Sequence, residues 1–189
     1  FRNLEAGVKW DLTERLAFTA ALFQIDRTNT RANDPVTGVV VQTGKSRTKG
    51  FELAAVGQIT TGLQVTLGYA LEDGEIVSTT AAAPAGRGLA QLPRHQFSAW
   101  GRYDFTDRLG LAVGAVRQSQ QFATISNNVR LPGFTRIDAA LFYKVSDALE
   151  LQVNVENLTD TDYFPSAHTD NNISTGAPLN ARLGVKLKF

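Results

Sequence analysis

Alternation with a period of two is the feature that most constrains this chain. It recurs in stretch after stretch, and no stretch shows a helical period. At the carboxyl end, Leu183, Val185, Leu187 and Phe189 alternate with Arg182, Gly184, Lys186 and Lys188. Successive side chains of a strand point to opposite faces, so each such stretch reads as a strand with one apolar and one polar face. The same reading covers residues 3–11, 16–27, 39–59, 63–72, 95–105, 137–145 and 149–156, and the stretch opening at Leu109. With the terminal strand that makes about nine strands. The second is the least regular: Ala20, Ala21, Leu22 and Phe23 are all apolar, which allows a bulge or a switch of faces.

The connections alternate in length. Thr13-Glu14-Arg15, Thr60-Thr61-Gly62, Thr106-Asp107-Arg108 and Ser146-Asp147-Ala148 are short turns. Between them lie long polar segments at residues 28–38 (with the loop signal Asn33-Asp34-Pro35), 73–94, 121–134 and 165–179. In an antiparallel meander all short turns fall at one end and all long loops at the other. Outer-membrane barrels have that asymmetry, and a soluble β-sandwich has no reason for it.

The polar face is too charged for a packed interior: Glu5, Lys9, Glu52, Arg102, Asp104, Arg136, Asp138, Lys144, Glu150, Glu156, Arg182 and Lys186 lie on it. The other face is almost wholly apolar, with Trp10, Tyr69, Tyr103 and Tyr143 near strand ends. Two architectures accommodate this. A lipocalin-like soluble barrel turns the apolar face inward around a greasy ligand, whereas a membrane barrel turns it outward to lipid and lines a wet lumen with the charges. Strands of about ten residues, one-sided long loops and interfacial aromatics favour the membrane. The fold class is therefore all-β, an antiparallel up-and-down transmembrane barrel segment. No stretch approaches the ~20 consecutive apolar residues of a membrane-spanning helix.

Composition narrows the chemistry. Nineteen Lys+Arg against 18 Asp+Glu leave a net charge of +1, which gives no case for nucleic acid. With no Cys there is no disulfide, thiol nucleophile or thiolate metal site. Phosphate-loop, nucleophile-elbow and metalloprotease patterns do not occur, so no catalytic residues are assigned and no enzyme is expected. Met is also absent and the chain opens in strand-like sequence, so the reading expects a carboxyl-terminal part of something longer. His168 and Asp170, a single His-x-Asp, are too little for a metal site. The strand-spaced charges Arg136, Asp138, Glu150, Glu156 and Arg182 read as a salt-bridged wall, not a catalytic cluster.

Several runs carry a family likeness. Gly44-Lys45-Ser46-Arg47-Thr48-Lys49-Gly50-Phe51-Glu52 leads into a strand, and Leu92-Pro93-Arg94-His95-Gln96-Phe97-Ser98 precedes an aromatic one. Leu131-Pro132-Gly133-Phe134-Thr135-Arg136-Ile137-Asp138 and Asn154-Val155-Glu156-Asn157-Leu158-Thr159-Asp160-Thr161-Asp162-Tyr163-Phe164 follow in order. The series resembles TonB-dependent siderophore receptors over essentially the whole chain. Thr159 stands where that family typically has Phe after Asn-Leu. The run from His168 to Pro178 resembles the last loop of catecholate-type receptors, and terminal Phe189 resembles the family's barrel-assembly signal.

The resemblance implies a barrel of about 22 strands with a plugged lumen, of which residues 1–189 are roughly the last nine and the plug is not part. It implies an outer-membrane receptor that takes up a ferric siderophore with energy from the TonB complex, contacted through the absent amino-terminal part. Membrane lipid and lipopolysaccharide are the implied surroundings. The protein needs no cofactor of its own, because the siderophore's oxygens hold the iron. Other cargo (haem, cobalamin, a nickel chelate, an oligosaccharide) and a passive porin stay open. A bulky, often anionic and aromatic chelate suits Arg and aromatic contacts. Candidate ligand residues are Arg117, Gln118 and Phe122, where a strand reaches the outer end, and Arg87, Phe164 and His168 in long loops; Arg94 and Arg130 lie beside them. Tyr163 and Phe164 are alternatively expected in the upper aromatic girdle.

Overall fold

In the computed structural model the described residues are 1–33, 37–78, 80 and 83–189, with the backbone alone at 32 and 33. Nine antiparallel strands form one sheet: β1 (Arg2–Thr13), β2 (Leu16–Asn33), β3 (Val40–Gln58), β4 (Leu63–Ile76), β5 (His95–Asp104), β6 (Leu109–Gln118), β9 (Phe134–Lys144), β10 (Leu149–Glu156) and β13 (Asn180–Leu187). Two small hairpins stand apart in the long loops, β7 (Gln121–Phe122) with β8 (Arg130–Leu131), and β11 (Ser166–Thr169) with β12 (Asn172–Ser174). The sheet runs in chain order from β1 to β13, each of which is paired on one side only.

The two faces divide as the alternation requires. Leu4, Val8 and Trp10 share their face with cross-strand partners of β2, and Leu111, Val113, Leu141, Tyr143, Leu183 and Val185 continue it. These side chains are exposed, up to 70% at Leu183. An apolar surface of this extent is far larger than a soluble monomer shows to water, so it is a lipid-facing band.

The irregular stretch of β2 contains no bulge. Its pairing with β1 is continuous from Asp26 to Ala17, and with β3 from Leu16 to Thr28; the irregularity falls higher, at Thr28–Arg31. Ala20 and Leu22 therefore face lipid, while Ala21 and Phe23 lie on the polar face. That face accepts them because glycines stand opposite: Ala21 pairs with Gly7 and Phe23 with Gly50. A Cβ on Gly50 would meet the Phe23 ring at 2.7 Å. Trp100 is placed the same way, covering Gly114 across the β5–β6 pair, where a Cβ would lie 2.0 Å from the indole.

The strands also continue further at the long-loop end than their apolar alternation. β2 reaches Asn33 instead of Arg27, and β4 Ile76 instead of Glu72. Past the lipid the outward side chains no longer need to be apolar, but backbone pairing goes on in water. Asp34 and Pro35 of the loop signal lie outside the described residues.

Apart from Ala112 and Ala140 on the polar face of the sheet, the buried apolar side chains gather at the long-loop end. Ile76, Ala83 and Ile125 form one cluster with Val41, Leu89 and Ala90 around it. Ala123, Leu131 and Ala167 form another, flanked by Val129 and Phe164.

Candidate ligand site at the outer mouth

Antiparallel order brings the β4–β5, β6–β9 and β10–β13 loops to one end of the sheet, and side-chain bonds tie them together. Asn127 adopts the left-handed backbone conformation (φ 59°) that Asn tolerates. Its Nδ2 donates to the Gly88 carbonyl at 2.9 Å, and its Oδ1 accepts from the Gly88 N–H at 2.8 Å. Arg87 donates to the Ile125 carbonyl at 3.3 Å. Gln91 and Gln121 each reach into the third loop, donating to the carbonyls of Ala167 (2.7 Å) and Pro165 (3.0 Å).

Asp170 accepts from the hydroxyls of Thr124 and Ser126, both at 2.7 Å. A carboxylate only accepts, so each hydroxyl gives its single proton to Asp170. This explains the acidic member of the His-x-Asp pair: Asp170 fastens one loop to another, while His168 is exposed on β11. Among the described residues no cluster of three or more His, Cys, Asp or Glu is placed to hold a metal ion.

The knitted loops frame a cavity of about 370 Å³, lined by Glu72, Asp73, Arg94, His95, Phe122 and Arg130 among others. The Arg130 guanidinium lies 4.6 Å from the centre of the Phe122 ring. A second hollow of about 520 Å³ runs along the polar face below it, past Glu52, Gln96, Ser98 and Gln118. The two share Glu72, and a polar ladder follows the path: Gln118 donates to Gln96 at 3.4 Å, and Gln96 to Glu72 at 2.8 Å. A solute entering between the loops meets two guanidiniums and a phenyl ring, then a row of amide and carboxylate oxygens.

The structure gathers some of the expected site residues and separates others. Phe122 lines the cavity, Arg87 braces the loops around it, and Gln118 heads the ladder. Arg117 pairs with Phe97 and Thr135 on the lipid-facing side, and its guanidinium donates to the Thr135 hydroxyl at 2.8 Å. Phe164 packs in the loop core beside Ala167. Tyr163 is buried, 4.6 Å from the Phe134 ring and accepting from Arg136 at 3.2 Å. Neither Tyr163 nor Phe164 belongs to an aromatic girdle, because loop packing turns both away from lipid.

Arg136 also binds Asp138 at 2.8 Å, as Arg182 does Glu156, so these polar-face charges form a salt-bridged wall. Asp138 accepts from the Asn157 N–H at 2.8 Å. Asn157 is 1% exposed, with φ 54°. Its side chain bonds the Thr161 and Ala177 carbonyls and the Thr161 N–H, fixing the start of the third loop. The contacts of Gln91, Gln121, Thr124, Ser126 and Asn127 have no signature in the sequence beyond the turn-prone Ser126-Asn127-Asn128 run.

Comparison with known families supplies the decisive observation. Residues 2–158 match the family described as "TonB dependent receptor-like, beta-barrel". The chain belongs to this TonB-dependent receptor family. As such it is an outer-membrane β-barrel segment, with the apolar band against lipid, the polar face toward the lumen and the knitted loops outside the cell. The chain is 30% identical over 200 residues to the probable TonB-dependent siderophore receptor PiuA of Acinetobacter baumannii. That alignment covers all of this chain and 27% of PiuA. To the catecholate siderophore receptor Fiu of Escherichia coli K12 it is 37% identical over 169 residues, 86% of this chain and 22% of Fiu. The crystal structure of PiuA superposes with a TM-score of 0.85 at 28% identity, over 99% of this chain and 28% of that one. The chain thus spans about a quarter of the length of the relatives it matches.

Proposed function

We propose that this chain is the carboxyl-terminal part of the barrel wall of a receptor for ferric siderophore uptake. The remaining strands, a plug and the TonB-contacting segment belong to the rest of the protein. The observation that carries the reading is the cavity at the outer mouth, where Arg130 stacks on Phe122 beside Arg94. Guanidiniums give charge-assisted bonds to anionic oxygens, and a phenyl face stacks on aromatic ligand rings. An anionic, aromatic ferric chelate brings both groups, and the iron needs no ligand from the protein. The relatives' descriptions as siderophore receptors support the same reading. In this role the chain performs no bond chemistry. Phe189, whose position continues the outward side of β13, is the proposed assembly signal.

The test is a binding titration of the full-length receptor against ferric catecholates and hydroxamates. One relative, from Pseudomonas aeruginosa and 32% identical over 196 residues, is described as a metal-pseudopaline receptor, so a metal–pseudopaline complex belongs in the panel. Phe122→Ala with Arg130→Ala is expected to weaken the preferred chelate about a hundredfold, roughly a tenfold loss for each contact. Unchanged affinity would show that this cavity is not the site.

A further inference from the structure

One carboxylate joins the two hollows of the polar face. Glu72 lines both, the cavity at the outer mouth and the hollow below it. It lies on the inward side of β4, whereas Asp73, next in sequence, lies on the outward side in register with Lys49. Residues 87–94 run beside the outer end of β4 and roof it. The Ile76 N–H donates to the Arg87 carbonyl at 2.8 Å, the Leu89 N–H to Gly74 at 3.0 Å and the Glu72 N–H to Arg94 at 2.9 Å. Leu92 and Leu89 cover Gly74, one pleat above Glu72, where a Cβ would meet them at 2.3 and 3.0 Å.

Both amides of the polar ladder donate in the same direction. Gln118 gives its Nε2–H to the Gln96 oxygen, and Gln96 gives its own to Glu72 Oε2. A carboxylate only accepts, so the ladder ends on Glu72 and leaves Oε1 for a donor that comes with the solute. The cations of the same cavity do not take that place. Among the described residues no ion pair joins Glu72 to Arg94 or Arg130. Below Glu72 the floor is made of small side chains, with Ala70 between Glu52 and Gln96, and Gly68 between Ala54 and Ser98. The path therefore changes sign, from guanidiniums at the mouth to the carboxylates of Glu72 and Glu52 in the hollow.

Building on the siderophore reading, we propose that Glu72 sets the specificity of this site and that the preferred ferric chelate is amphoteric. Its anionic, aromatic head meets Arg94, Arg130 and Phe122. A basic amine on a slender tail passes over the small side chains and donates to Glu72. The ammonium gains a charge-assisted hydrogen bond, about twice as strong as a neutral one. Leu89 and Leu92 keep water from one side of the contact, which strengthens it. A purely anionic chelate lacks the donor and meets the repulsion of the Glu72 carboxylate instead.

The experiment titrates the full-length receptor with two ferric catecholates that differ only in an amine tail, free in one and acetylated in the other. Wild type is expected to bind the free-amine form about tenfold more tightly, the size of one charge-assisted hydrogen bond. Glu72→Gln removes that preference by weakening the free-amine form. Phe122→Ala with Arg130→Ala weakens both forms alike and leaves the preference in place. Equal binding of the two forms by wild type overturns the proposal and leaves the siderophore reading intact. That comparison needs no variant, so it holds whether or not Glu72→Gln assembles, which is read from heat-modifiable migration. An undiminished preference in assembled Glu72→Gln overturns the proposal too, as does a loss shared equally by both forms. Binding of neither catecholate also overturns it; if no other ferric chelate binds either, the siderophore reading falls with it.

Discussion

At the scale of single residues, Asn157 anchors the start of the third loop. It is buried and left-handed, and it serves three backbone groups of its own loop. Asn157→Ala leaves those groups unpaired, at about 1–3 kcal/mol for each one that water does not reach. The expected result is faster hydrogen exchange at Thr161 and through residues 157–179, with the strands unchanged; equal exchange in the two proteins would count against the role.

At the scale of elements, the outer loops behave as one body and not as separate flaps. Two small apolar clusters seat them, and the Asp170 clasp and the Asn127–Gly88 pair lock them. Asp170→Ala strips the acceptor from two hydroxyls on residues only 7% exposed, a cost of about 1–3 kcal/mol each. Limited proteolysis of the full-length receptor is expected to cut near residues 119–133 faster in this variant, and chelate affinity to fall with it. Unaltered cleavage would show that the clusters alone hold the loops. Within the sheet, Gly114→Val drives two methyls into the Trp100 indole. It is expected to lower assembled barrel in the membrane, read as the heat-modifiable fraction. These two elements differ in how far the sequence revealed them. Trp100 opposite Gly114 follows from strand alternation once the register is known, because bulk on one strand requires space on its partner. The Asp170 clasp joins residues more than 40 positions apart in loops without a period, so nothing local announces it.

At the scale of the whole molecule, the nine-stranded sheet has two unpaired edges and a lipid-facing band, and lipid satisfies neither edge. Residues 1–189 expressed alone are expected to aggregate in water and to form no steady pore in planar bilayers. A monodisperse, conducting preparation would show that the sheet closes by itself or with copies of itself. By itself the sequence determined the strands, their two faces, and the end at which the loops gather, because each follows from period two and from connection length. It also determined the side on which Arg117 lies, which shares parity with Leu111 and Val113; grouping it with neighbouring Gln118 joins opposite faces. Tertiary structure alone decided that Tyr163 and Phe164 turn away from lipid and that Arg130 meets Phe122. The reason is physical: a strand's repeat tells each side chain which way to face, but irregular loops and neighbouring strands meet only through packing and register.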